Sequence, residues 1–147
     1  MAAEIVLPDA LRAVIEAAAD AAWPEEACGL LLAAAHAPAR LLAAVPVPNR
    51  APVGRRGSRF VVDPAFHAAL ARRARAAGMV IAGAFHSHAR GPAALSADDR
   101  AGLPPEPGWI TLVLGGRDAA GRWRIAAFRN DEPAVLRVEE TGPHPRR

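Results

Sequence analysis

Two histidines separated by one residue, His86-Ser87-His88, close an apolar run from Met79 to Phe85. On an extended strand, side chains at i and i+2 leave the same face, about 7 Å apart along the backbone. Two imidazoles presented in this way can grip one metal ion. Asp99 offers a hard oxygen ligand from the start of the next element. Three N/O ligands with a fourth position open is the arrangement of a catalytic zinc rather than a structural one. The pattern predicts a zinc hydrolase.

Other residues compete for roles around this group. Ser96-Ala97-Asp98-Asp99 reads as a capping box, with Ser96 at a helix N-cap and Asp99 reaching back. Capping and chemistry are compatible, because both side chains then sit at one open mouth beside amide donors. Next to the histidine pair, Asp99 is read as a ligand and Ser96 as an oxyanion donor. Glu26 is carried by Ala27-Cys28-Gly29-Leu30 directly into a buried strand, poised to reach into a pocket, whereas Glu25 is read as surface. Cys28, the single cysteine, has no identifiable activating base and is expected to be a small buried side chain. His36, His67 and His144 fall in a turn, on a helix and in the tail, and are expected to face solvent. The cluster Arg50, Arg55, Arg56 and Arg59 reads as a solvated loop, or as a dock for an acidic protein face.

The elements that position these residues can be read from pattern. Glu4 to Leu7 predicts a strand. A helix from Pro8-Asp9 to Trp23 follows, with Leu11, Val14, Ile15 and Ala18 on its buried face. Leu30 to Ala33 and Leu41 to Val47 predict a hairpin, and Asn49 to Ser58 a loop. Arg59 to Val62 predicts a short strand. Asp63-Pro64 starts a helix that Gly78 ends. Met79 to His86 is the strand that delivers the histidines, and Ser96 to Leu103 a short helix. Trp109 to Leu114 and Arg122 to Arg129 predict paired strands around a turn from Gly115 to Gly121, with a last strand from Ala134 to Glu139. A polar tail begins at Thr141. The fold class is α+β, a curved and mostly antiparallel sheet with helices packed against it, in one domain over residues 1–147.

Composition bounds the alternatives. The chain is 147 residues long and 52% hydrophobic, enough for a core without disulfides. All eighteen basic side chains are arginine and there is no tyrosine, so the pI near 10.8 overstates a net charge of only +3. A GC-rich genome accounts for this usage. A nucleic-acid binder would concentrate its charge among aromatics, and no segment does so. The N-terminus is too short and acidic for a signal peptide, and no apolar run approaches the ~20 residues of a membrane span. The expected compartment is the bacterial cytoplasm.

Glu26, then His86-x-His88, seven residues, and Ser96-x-x-Asp99 resembles the JAMM (MPN+) metalloprotease signature, E…H-x-H-x7-S-x-x-D. Around it, Pro24-Glu25-Glu26-Ala27-Cys28-Gly29-Leu30-Leu31, Pro48-Asn49, Phe60-Val61-Val62-Asp63-Pro64 and His86-Ser87-His88 resemble the short bacterial members of that family. The resemblance spans roughly Ile5 to Val138. It implies the MPN, cytidine-deaminase-like fold, with one Zn2+ held by His86, His88 and Asp99. It also implies Glu26 as the general base that passes a proton to the leaving amine, and Ser96 as the group steadying the oxyanion. Implied substrates are ubiquitin-like or sulfur-carrier proteins ending in Gly-Gly, entering as an added strand at an exposed sheet edge. MPN domains often pair, which allows a homodimer. Where the family usually has prolines after the second histidine and before the serine, this chain has Ala89 and Leu95, which predicts a less rigid loop. No insertion separates Asp99 from Trp109, so the chain reads as a bare catalytic core. The runner-up reading is an MPN-type scaffold that binds such proteins without cutting them. A third reading, an Arg-rich nucleic-acid binder, requires steep salt dependence on DNA or RNA.

Overall fold

A computed structural model of the chain describes residues 3–140. The tail read as polar, with His144, lies outside the described residues. Seven strands, β1 (Glu4–Pro8), β2 (Cys28–Ala34), β3 (Ala37–Val47), β4 (Met79–His88), β5 (Ile110–Arg117), β6 (Trp123–Arg129) and β7 (Glu132–Glu139), close in the order β1-β3-β2-β4-β5-β6-β7. Three α-helices accompany them among the described residues: α1 (Asp9–Ala22), α2 (Pro64–Ala76) and α3 (Ala97–Ala101). The fold is α+β, as the alternation of patterns predicts. The expected curved sheet goes further and closes on itself as a barrel. Its pairings are antiparallel except at β1–β3, β1–β7 and β4–β5.

The alternating residues of the strands fill the barrel. Leu7, Leu31, Leu41, Phe85, Leu112 and Leu114 are fully buried there with Ile15 and Ala19 of α1. The α1 face therefore runs through Leu11, Ile15, Ala18 and Ala19. Val14, expected on that face, is 38% exposed, because a step of three from Leu11 carries it past the rim of the apolar stripe. The polar side of α1 is tied down as well. Asp20 accepts from Trp123 Nε1 at 2.8 Å and from Arg117 at 2.8 Å, and Arg117 lies over the Trp123 ring.

Two further expectations need correction. Arg59 to Val62 forms no strand, because its partner is not a strand. Val61 N donates to the Asn49 side chain at 3.1 Å, and Val61 O accepts from Arg50 N at 2.8 Å. Pro48, without an N–H, cannot carry β3 on to meet it. Gly115 belongs to β5 rather than to the following turn. The predicted capping of α2 is found: the Asp63 side chain accepts from Ala65 N at 2.9 Å, and Gly78 beyond its end has φ +73°.

β4 is the strand on which the site depends, and Gly83 lets it approach β5. A Cβ at Gly83 would collide with the Ile110 backbone. Gly83→Ala should therefore destabilise the protein by about 3 kcal/mol through overpacking, read as a lower thermal midpoint. An unchanged midpoint would show that the β4–β5 contact tolerates a methyl.

Candidate metal centre

The β4 strand runs two residues beyond the predicted end, so both histidines stand within it and on one face. His86 and His88 are 1% and 9% exposed. Their Nε2 atoms lie 3.2 Å apart, and Asp99 Oδ2 is 3.0 Å from the first and 3.1 Å from the second. Donors on a tetrahedral zinc with bonds of about 2.0–2.1 Å stand roughly 3.3 Å apart, so this triangle matches one face of such a tetrahedron. The three residues form a group able to hold a metal ion.

The orientation of each donor has a cause. His88 Nδ1 is 2.9 Å from Pro92 O, and a carbonyl only accepts, so Nδ1 carries a proton and in the neutral ring Nε2 keeps its lone pair for a metal. The His86 ring is stacked on Phe60 with centroids 4.5 Å apart, while its Nδ1 is buried without a hydrogen-bond partner. Asp99 is fixed by the capping box. Its Oδ2 accepts from Ser96 N at 2.9 Å, and its own N–H donates to Ser96 Oγ at 3.0 Å. The cap and the convergence on the histidines thus coexist in one carboxylate. α3 itself is shorter than predicted, ending at Ala101.

Electrostatics keep the Asp99 carboxyl ionised at this point. Burial pushes the Asp99 carboxyl up, but hydrogen bonds with His86 and His88 outweigh it and hold the group far below the usual carboxylate range. The Asp99 bond in turn raises His88.

Glu26 reaches the same place through strand register. Cys28 of β2 pairs with His86 of β4, antiparallel. Continuing that register sets Ala27 opposite Ser87 and Glu26 opposite His88. Ser87 makes it firm: its N–H donates to Ala27 O at 3.0 Å, and its Oγ accepts from Ala27 N at 2.8 Å. Glu26 is 4% exposed, and its Oε2 is buried without a partner. Burial raises its carboxyl to about 7, and the nearby Asp99 charge adds to the rise while His88 opposes it. A carboxylate tuned to neutrality suits proton transfer in both directions.

Two depressions flank the triad. One of about 600 Å³ is bordered by Glu26, His88, Ser96 and Pro92. The other, about 520 Å³, is bordered by His86, Asp99, Phe60, His67, Trp109 and Thr111. His67 corrects an expectation: it is half-buried and stacked with Trp109 instead of facing solvent, because α2 lays this side over the wall of the cleft. His36 is exposed as expected. Cys28 is buried, and burial raises its thiol to about 11, which suits an inert side chain. Arg50, Arg55 and Arg59 are exposed in the loop beside the clefts.

Sequence reasoning missed Ser87 and Asn49. Asn49 donates to Glu26 O at 3.1 Å and to Arg59 O at 2.9 Å, and accepts from Ala51 N and Val61 N. It thereby fastens the Glu26 segment to the cleft wall. The signal for Ser87 was its place between the histidines, on the opposite face of an otherwise apolar strand. For Asn49 the sequence offered only its membership of the Pro48-Asn49 pair.

A sequence profile described as prokaryotic homologs of the JAB domain matches residues 8–129. The chain belongs to this family. Solved structures share its fold. The chain resembles a protein from Desulfitobacterium hafniense at 26% identity and TM-score 0.78, over 92% of this chain and 93% of that one. It resembles a protein from Salinibacter ruber at 26% identity and TM-score 0.60, over 90% and 91% of the two chains. A JAB1/MPN domain protein from Archaeoglobus fulgidus, 17% identical, shares the fold at TM-score 0.61 over 93% and 98%. No curated protein matches the chain. Among the described residues of this JAB-domain protein, no helix is long and apolar enough to cross a membrane.

The raised Glu26 carboxyl carries a stability consequence for the metal-free protein. With its pKa at about 7 folded against 4.5 unfolded, ionisation penalises the folded state as pH rises through that window. Glu26→Gln removes the charge, so the variant should be the more stable at pH 8, by about 1–3 kcal/mol after screening in the cleft. The difference should vanish near pH 4. Denaturant midpoints of metal-free protein at both pH values check this, and equal midpoints at pH 8 would contradict it.

Proposed function

We propose that this JAB-domain protein is a zinc-dependent metallopeptidase that hydrolyses the peptide or isopeptide bond after the C-terminal Gly-Gly of a ubiquitin-like or sulfur-carrier protein. The observation that carries the reading is the convergence of His86 Nε2, His88 Nε2 and Asp99 Oδ2 within 3.2 Å of one another, beside a buried and unpartnered Glu26 carboxylate. The donor set fits zinc: two neutral imidazoles and one carboxylate, with room in the clefts for a fourth ligand. A zinc ion held there supplies Lewis acidity, polarising a carbonyl and acidifying water towards a pKa of ~7.

The remaining steps belong to the chain. Glu26, poised near neutrality, takes a proton from the attacking water and returns it to the leaving amine as the C–N bond breaks. Ser96 accepts from Asp99 N–H, which leaves its own hydroxyl proton to donate to the carbonyl oxygen as negative charge gathers there. Phe60 and the Pro92 carbonyl hold the two imidazoles in place.

A substrate tail has a place to lie. Among the described residues the strands close into a barrel, β1 meeting β3 through the pair Val6–Arg40, so a tail would need another extended segment to lie against. The segment from Ser58 to Val62 supplies one. Asn49 and Arg50 engage the backbone of Arg59 and Val61 on one side, so in an extended chain the backbone groups of Phe60 and Val62 point to the other. Residues 58 to 62 all border the cleft beside His86. An incoming Gly-Gly tail could add as a strand along this segment.

Metal analysis by mass spectrometry and cleavage of a Gly-Gly–aminocoumarin peptide test the proposal together. Wild type should carry about one zinc per chain and release the fluorophore. Glu26→Gln should keep its zinc and lose roughly 10²–10⁴-fold in kcat, and His88→Ala should lose zinc while remaining folded by circular dichroism. Iron in place of zinc would overturn the metal assignment. A zinc-loaded wild type that binds Gly-Gly proteins without cleaving them would make the chain a scaffold instead.

A further inference from the structure

The far side of the His88 ring shows how its inward direction is maintained. Pro92 O receives two hydrogen bonds, from His88 Nδ1 and from Ala94 N, each 2.9 Å long, which together occupy both lone pairs of the carbonyl. The Pro92–Ala93 peptide rests against Gly115, the β5 residue paired with His88. A Cβ at Gly115 would lie 2.5 Å from Pro92 C, 2.6 Å from Pro92 O and 2.7 Å from Ala93 N. Its φ is not in the left-handed region, so the backbone conformation does not call for glycine there. Space does. The neighbouring Gly116 is the reverse case, with φ +64° and open space around its Cα.

We propose that Gly115 is a positioning residue for the metal centre: its bare Cα seats the Pro92–Ala93 peptide so that Pro92 O fixes the tautomer and direction of His88. The inference rests on metal binding by the His86, His88 and Asp99 group. It also answers the loop expected to be slack because Ala89 replaces a proline. Here the constraint is supplied three residues later, by a proline whose peptide is clamped between a histidine and a strand. His86 has no equivalent and is held by stacking on Phe60. Outer partners of this kind tune metal affinity because they orient the ligand and raise its basicity.

The test is zinc affinity by chelator competition on metal-stripped protein, for wild type, Gly115→Ala and Gly116→Ala. Gly115→Ala should bind zinc about 10–100-fold more weakly. Gly116→Ala, which strains the backbone without touching Pro92, should bind as wild type does. In zinc-loaded wild type, proton NMR should find the His88 Nδ1–H further downfield, as a hydrogen-bonded proton is, than that of His86. This measurement tests the Pro92 O–His88 bond through which Gly115 acts even if Gly115→Ala fails to fold. Equal affinities in wild type and Gly115→Ala, or a His88 proton no further downfield than that of His86, would overturn this inference and leave the metal site intact. A folded wild type that takes up no zinc would overturn both.

Discussion

The register of β2 against β4 is the constraint from which the rest of the site follows. Cys28 faces His86, and the two bonds between Ala27 and Ser87 extend the pairing past the formal start of β2. Residues directly opposite each other in an antiparallel pair project to the same face, so Glu26 must emerge beside His88. A slip of one residue would send the carboxylate to the other face. Close packing resists such a slip. Gly29 lies under the Phe85 ring and Gly83 against Ile110, positions where an added Cβ would collide. The same glycines that draw the sheet together therefore place the acid next to the histidines.

Charge completes what geometry begins. His86 Nε2, His88 Nε2 and Asp99 Oδ2 meet at one buried point, and Glu26, its Oε2 without a hydrogen-bond partner, enters from the next strand. A metal ion bound there would replace the protons shared between the histidines and Asp99. The protein has the rigidity to hold the array open. Asp99 is fixed by its own helix cap, His88 by a loop carbonyl and His86 by an aromatic ring. Each donor is anchored from a different element, so no single local motion disperses them.

The contrast between the two histidines also bears on how a small domain builds precision. His88 sits at the end of β4, where the strand opens into a loop, and it needs an external carbonyl to fix it. His86 lies two pairs deeper, opposite Cys28, with strands on both sides. Burial and stacking suffice there. Both solutions depend on residues with no reactive chemistry of their own: Phe60, Pro92 and Gly115.

Local pattern was enough to find the histidine pair, the Ser96–Asp99 cap, the α2 start at Asp63-Pro64, and the strand-helix order. Each of these depends on neighbours within a few residues, through strand alternation, capping bonds or the fixed φ of proline. The spacing of Glu26, His86, His88, Ser96 and Asp99 by itself resembles the family signature. What local pattern could not supply were the long-range pairings. Arg59 to Val62 looks like a strand by composition but meets Asn49 and Arg50 instead of a ladder. Val14 and His67 changed sides because a helix face is chosen by what packs on it. The barrel closes through β1 and β7, whose paired residues are 131 apart in sequence. Ser87, Asn49 and Gly115 acquire their roles only when distant segments are brought within hydrogen-bond or van der Waals reach, a relation that composition and periodicity do not encode.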